Sequence, residues 1–165
     1  VGKFVSGHDT IWRIAMKVGF TGAREGLADA QRERFCSLIA DIEPPEFHHG
    51  CCVGADEEAE AAVALFLGPI LHDKGKSCVV HKHPSNIETM TTIGYIHKTD
   101  VYHPPKPPLD RNRDIVDSTD LLIACPKEAE ERRSGTWATI RYARKLGRRI
   151  IIIYHDGSIV EEPAK

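Results

Sequence analysis

Three short segments of this chain combine glycine with residues able to hold an anion. They are Gly19-Phe20-Thr21-Gly22-Ala23-Arg24, His49-Gly50-Cys51-Cys52-Val53-Gly54-Ala55-Asp56 and Arg133-Ser134-Gly135-Thr136. Glycine lets a backbone approach a phosphate closely, and the N–H groups that open a helix favour negative charge. Arg24 adds a positive charge to the first segment, and Ser134 suits the cap of the helix that the third segment opens. The Gly135 and Thr136 amides, with the Thr136 hydroxyl, can then hold a phosphate oxygen. Any one such segment is ordinary turn chemistry; three of them at one sheet edge point to a shared anion site. The first segment lacks the G-x-G-x-x-G spacing of a dinucleotide fingerprint, and none matches G-x-x-x-x-G-K-[ST]. A conventional NAD dehydrogenase or P-loop NTPase is therefore disfavoured.

Between the second and third segments runs Leu109-Asp110-Arg111-Asn112-Arg113-Asp114. Its charges suit a solvated helix start, or Arg111 and Asn112 reaching the sugar or phosphate of a nucleotide. Phe20 and Trp137 suit either core packing or stacking on a base. If the chain cleaves a glycosidic bond, a carboxylate must face the oxocarbenium-like sugar. Asp56, Asp110 and Asp114 are the candidates, with Asp56 and Arg111 the pair we would place in catalysis.

Cysteine and histidine invite a metal reading that their spacing does not support. The cysteines at 36, 51, 52, 78 and 125 are odd in number, with two adjacent. Structural zinc sites pair ligands two to four residues apart, twice over. The tract His48-His49-Gly50-Cys51-Cys52 lacks that pattern, although His81, His83, His97 and His103 could add ligands. The expectation is reduced thiols, no metal and no resident cofactor.

Periodicity supplies the elements that must position these residues. Residues 11–18 (IWRIAMKV) read as a strand ending at Gly19. In residues 26–42, Phe35, Leu38, Ile39 and Ile42 follow the i, i+3, i+4, i+7 pattern of an amphipathic helix, which Pro44-Pro45 stops. A short strand over 46–49 precedes a second helix over 55–71, and 77–81 is a further strand. Proline-rich 82–109 is irregular, hence a lid, a subunit contact or a stretch hiding an element. A short helix over 111–118, a strand at 121–125, a helix over 136–146 and a β-branched strand over 149–154 complete the pattern. Continuous apolar strands alternating with helices predict an α/β, Rossmann-like, doubly wound and mostly parallel sheet of about five to seven strands, with helices on both faces. Its ligand site should lie past the carboxyl ends of the strands, where strand order reverses.

A length of 165 residues implies one domain, assigned to 11–160 with an N-terminal extension over 1–10. A net charge of −2 argues against a bulk electrostatic nucleic-acid binder. No apolar run is long enough to cross a bilayer and no signal peptide is visible, so a cytoplasmic location is expected.

The ordered motifs G-F-T-G-A-R, H-G-C-C-V-G-A-D-E-E-A, R-N-R-D-I-V-D-S-T-D-L-L-I-A-C-P and R-S-G-T-W-A-T-I-R-Y-A-R-K-L-G-R-R-I-I-I-I-Y resemble the SLOG superfamily. That superfamily includes the DNA-processing protein A domain, LOG-type phosphoribohydrolases and small nucleotide-sensing proteins. The resemblance spans residues 11–154 and implies a Rossmann-like sheet whose glycine-rich turns bind a nucleotide. It places the binding positions at Gly19, Thr21, Gly22, Arg24, Gly50, Gly54, Asp56, Arg111, Asn112, Ser134, Gly135 and Thr136. LOG enzymes carry a glutamate after their glycine-threonine turn, where this chain has Thr139, so the usual acid is missing. Relatives commonly dimerise through helices flanking the site. DNA-processing protein A loads a recombinase on single-stranded DNA, but the Arg141, Arg144 and Lys145 face here reads as solvated surface. The leading expectation is a small domain that senses or sequesters a nucleoside phosphate or ADP-ribose-like molecule. An N-glycosidase acting on nucleoside monophosphates and a single-stranded DNA module are the alternatives.

Overall fold

The computed structural model describes residues 15–92, 94 and 96–165; the expected extension over 1–10 and residues 11–14 of the expected first strand lie outside them. The chain runs β1 (Val18–Gly22), α1 (Asp29–Ile42), β2 (Glu46–His49), α2 (Ala55–Ala62), α3 (Gly68–Asp73), β3 (Val79–Lys82) and β4 (Val101–Tyr102). It continues with α4 (Pro108–Asp117), β5 (Leu121–Cys125), α5 (Gly135–Lys145), β6 (Arg149–Ile153) and β7 (Ile159–Glu162). The strands form one seven-stranded sheet in the order β4-β3-β2-β1-β5-β6-β7. All pairings are parallel except β6 with β7. From β1 the chain winds outward to β4, then returns across the sheet to place β5 on the free side of β1. The fold is the expected doubly wound α/β sheet, and its order reverses between β1 and β5.

Residue parity divides the interior into two cores. On β5, Leu121, Ile123 and Cys125 face α1 and the α2–α3 helix, while Leu122 and Ala124 face α4 and α5. Ile151 and Ile153 of β6 join the first group, and Ile150 and Ile152 the second. A strand position buried on both faces must be apolar, which is why LLIAC and the four isoleucines Ile150–Ile153 are unbroken runs. In the first core Phe35 of α1 meets Phe20 edge-on, with centroids 5.2 Å apart, and both rings lie 6.1 Å from Phe47. Gln31 is buried beside them, and its amide donates to the carbonyls of Pro126 (2.8 Å) and Ile153 (2.9 Å) at the ends of β5 and β6.

Several boundaries differ from expectation. The first strand is Val18–Gly22, so Gly19 through Gly22 lie in the strand rather than in the turn after it. A side-chain carbon on Gly19 would sit 2.8 Å from the Thr119 hydroxyl and 2.9 Å from Ile115. Glycine there lets α4 close onto the sheet, and periodicity alone reads such a residue as punctuation. The first helix starts at Asp29, where Gln31 Oε1 accepts from the Ala28 N–H at 3.0 Å. The second helix is a single rod from Ala55 to Asp73, with a π turn over Val63–Leu67 joining α2 to α3. The irregular stretch contains a 3₁₀ turn, Glu88–Met90, and the two-residue edge strand β4. Strand β7 was not anticipated, because its sequence IVEE offers one short apolar pair.

Beside the first core, Lys82 is buried with its ammonium 2.5 Å from Glu60 and 3.3 Å from Asp100. This cluster ties β3, α2 and the approach to β4 together by charge.

Truncating Phe35 to alanine removes the ring shared by Phe20 and Phe47. We expect it to cost about 3–5 kcal/mol, read as a lowered urea midpoint, whereas Leu65→Ala on the exposed side changes the midpoint little.

Candidate functional site

At the reversal point a cavity of about 470 Å³ opens past the carboxyl ends of β1 and β5. Its floor is Phe20 to Arg24, one wall is Gly50, Cys52, Asp56 and the start of α4, and the other runs from Lys127 to Trp137. Ten of the twelve expected binding positions line it, namely Thr21, Gly22, Arg24, Gly50, Asp56, Arg111, Asn112, Ser134, Gly135 and Thr136, as do the stacking candidates Phe20 and Trp137. Gly19 and Gly54 do not. Gly19 is the packing glycine beneath α4. Gly54 has φ +92°, and its Cα faces the Arg24 backbone so closely that a side chain there would overlap it. That contact and the Ala55 N–H donating to the Ala23 carbonyl at 3.0 Å fasten the first two glycine segments together.

The β2–α2 turn is held by a buried ion pair. The Oδ2 atom of Asp56 accepts from the Gly50 N–H at 3.1 Å and the Cys52 N–H at 3.2 Å, and lies 3.9 Å from the Arg111 guanidinium. Arg111 donates to the carbonyls of Gly50, His83 (3.2 Å) and Pro108 (3.3 Å), and to Cys52 Sγ at 3.0 Å. Its polar hydrogens are thus directed into the protein, and the two residues considered for catalysis brace the wall of the cavity. Burial pushes the Asp56 carboxyl above its ordinary value, against the opposing pull of Arg111 and the two amides. A side chain on Gly50 would collide with Arg111, so glycine is required for this approach. Within the turn Cys51 takes φ +53°, and its N–H donates to His49 Nδ1 at 3.2 Å. Burial, reinforced by Lys82 and Arg111, holds the His49 imidazole down to about 3, in its neutral form. The same burial pushes the Cys51 thiol up to about 12.

The third segment forms the N-terminus of α5. Ser134 caps it, its Oγ accepting from the Trp137 N–H at 3.3 Å. Gly135 and Thr136 occupy the first helical positions, whose amides have no partner within a helix. A side-chain carbon added to Gly135 would meet nothing within 4 Å. Trp137 packs in the second core and donates from Nε1 to the Glu128 carbonyl at 3.1 Å. Phe20 likewise serves the aromatic core, so both rings combine a packing role with a place in the lining. Thr139 is buried, and its hydroxyl donates to the Gly135 carbonyl at 2.9 Å. It is absent from the lining.

Around the rim stand Arg24, Lys127 and Arg133, with Glu25, Glu128 and Glu131. Lys127 lies 3.3 Å from Glu25. Pro108, Ile115 and Lys127 were not anticipated in the lining. For Lys127 the signal available was position, because residues just after β5 must lie at the carboxyl edge of the sheet; Pro108 and Ile115 enter from α4. On the outer face of α5, Arg141 and Arg144 pair with Glu130 at 3.4 and 3.0 Å, and Arg144 also with Glu162 at 2.7 Å.

No family model matches this chain, and no curated protein matches it in sequence. Among the described residues, no helix is long and apolar enough to cross a membrane.

Removing one member of a buried ion pair leaves the other uncompensated. Arg111→Met is expected to lower unfolding stability by about 3–5 kcal/mol. In a double-mutant cycle, Arg111→Met with Asp56→Asn should cost less than the two changes summed.

Proposed function

We propose that this chain binds a nucleoside phosphate or an ADP-ribose-like molecule in the cavity at the β1–β5 reversal point, and that it does not cleave it. The observation that carries this reading is the convergence of the α5 N-terminus with the ends of β1 and β2 on one cavity of about 470 Å³. That volume lies within the ~300–1,000 Å³ common for small-molecule sites. A helix of 11 residues that opens on Ser134-Gly135-Thr136 presents amides to an anion, with Arg24 and Arg133 on the rim. Kinship with the SLOG superfamily, suggested by the motifs, belongs to the same proposal.

Two features favour binding over hydrolysis. Thr139, where LOG enzymes carry a glutamate, spends its hydroxyl on the helix. Asp56, the buried carboxylate of the lining, is committed to two backbone amides beside Arg111. Against single-stranded DNA, the basic face of α5 is compensated by Glu130 and Glu162.

The test is thermal denaturation with AMP, ADP, GMP and ADP-ribose at millimolar concentration. A ligand that binds only the folded chain stabilises it by about 2.7 kcal/mol at one hundred times its Kd. At least one nucleotide is expected to raise the melting temperature. Gly135→Leu should melt like the parent without ligand and lose the shift, since its side chain occupies open space beside the cavity. A panel that moves nothing contradicts the proposal, and release of free base from a monophosphate contradicts its non-hydrolytic half.

A further inference from the structure

Away from the cavity, the sheet carries a second cluster of side chains with chemistry of their own. Phe47 and His49 of β2 face α2, so by alternation His48 faces the α4–α5 side. On β3 the register sets His81 beside His48. His83 follows β3 and His103 follows β4, and these four imidazoles meet on one face. His48 stacks on His81 with centroids 4.1 Å apart and planes 10° from parallel; His83 stacks on His103 at 4.0 Å and 7°. The two stacks touch through nitrogen. His48 Nδ1 lies 3.0 Å from His83 Nε2, and His81 Nδ1 lies 3.1 Å from His103 Nε2.

Each of those contacts brings together two atoms that both carry lone pairs in some tautomer, and neutral imidazole nitrogens are strong ligands for first-row transition metals. Ligand atoms of His48, His83 and His103 all lie within 4.8 Å of one another. A tetrahedral zinc with Zn–N bonds of ~2.0–2.1 Å holds its nitrogens roughly 3.3 Å apart. The 3.0 Å between His48 Nδ1 and His83 Nε2 is close to that separation, and the stacked rings of His83 and His103 must turn from their parallel arrangement to aim both lone pairs at one ion.

An outer carboxylate completes the pattern. Glu46 Oε2 is 3.2 Å from His48 Nε2 and 3.6 Å from His81 Nε2, while its other oxygen is 3.1 Å from Lys17. A carboxylate accepting from Nε2–H keeps the proton there and turns the Nδ1 lone pair inward, the arrangement that orients metal-bound histidines. We propose that His48, His83 and His103 form a site for a divalent transition cation of the zinc type. Glu46 fixes the tautomer of His48, and His81 stands beside the remaining coordination position. Loading the site replaces the His48–His83 hydrogen bond and requires His83 to carry its proton on Nδ1. The ion would join β2, β3 and the two-residue edge strand β4, whose register with β3 covers His81–Val101 and Lys82–Tyr102.

The experiment uses the full chain, stripped with chelator and titrated with Co²⁺ and Zn²⁺ alone. One equivalent of Co²⁺ per chain should bind, with the visible ligand-field absorption of a low-coordinate nitrogen site. Zn²⁺ should displace it and raise the melting temperature. His103→Ala should weaken Co²⁺ binding by more than about 100-fold, and Glu46→Gln, which keeps the shape of the side chain, by about 10–100-fold. His97→Ala and His155→Ala, both on the exposed surface, should leave the titration unchanged. The proposal is overturned if Co²⁺ shows no stoichiometric binding. It is equally overturned if neither Glu46→Gln nor a folded His103→Ala alters the titration, or if the two surface variants abolish it.

Discussion

A buried guanidinium must place its N–H groups on acceptors, and Arg111 does so by drawing on separate stretches of chain. Gly50 in the β2–α2 turn, His83 after β3 and Pro108 at the start of α4 all receive its hydrogens, with Asp56 supplying the opposing charge. The wall of the cavity follows from that demand. Gly50 is glycine because the guanidinium occupies the space a side chain would take. Asp56 is acidic because two turn amides and one cation converge on it. An arginine used this way is unsuited to grip a phosphate, so in the proposed nucleotide complex that task would fall to backbone amides and rim cations.

The two faces of the sheet are used unequally. Toward α1 and the α2–α3 rod the strands present phenylalanine, aliphatic residues and the Lys82–Glu60–Asp100 cluster. Toward α4 and α5 the aliphatic core covers β5 and β6, and the β2–β3 side carries imidazoles instead. Arg111 links the two regions, because the His83 carbonyl that accepts from it belongs to the residue whose ring stacks on His103. Changes among the histidines therefore have a short path to the cavity wall.

Much of this was legible from the chain alone. Strand β5 and the four isoleucines of β6 are unbroken apolar runs, α1 shows a clean helical stripe ended by Pro44-Pro45, and Ser134 is a recognisable cap. The lining was legible for a topological reason: turns after parallel strands gather at one sheet edge. What escaped was set by contacts between residues distant in sequence. Gly19 reads as a turn residue, yet it exists for the approach of Ile115 and Thr119. Strand β4 is too short to show a period. The imidazole cluster left a trace in His81-Lys82-His83, whose two imidazoles alternation places on one face, but only strand register brings His48 and His103 to them.

The most direct measurement of the central claim is an amide NMR titration of the labelled chain with AMP and ADP-ribose. Binding at the reversal point predicts shift changes concentrated on Thr21 to Arg24, Gly50 to Cys52 and Ser134 to Trp137. Changes confined to the outer face of α5, or none at saturating nucleotide, would contradict it.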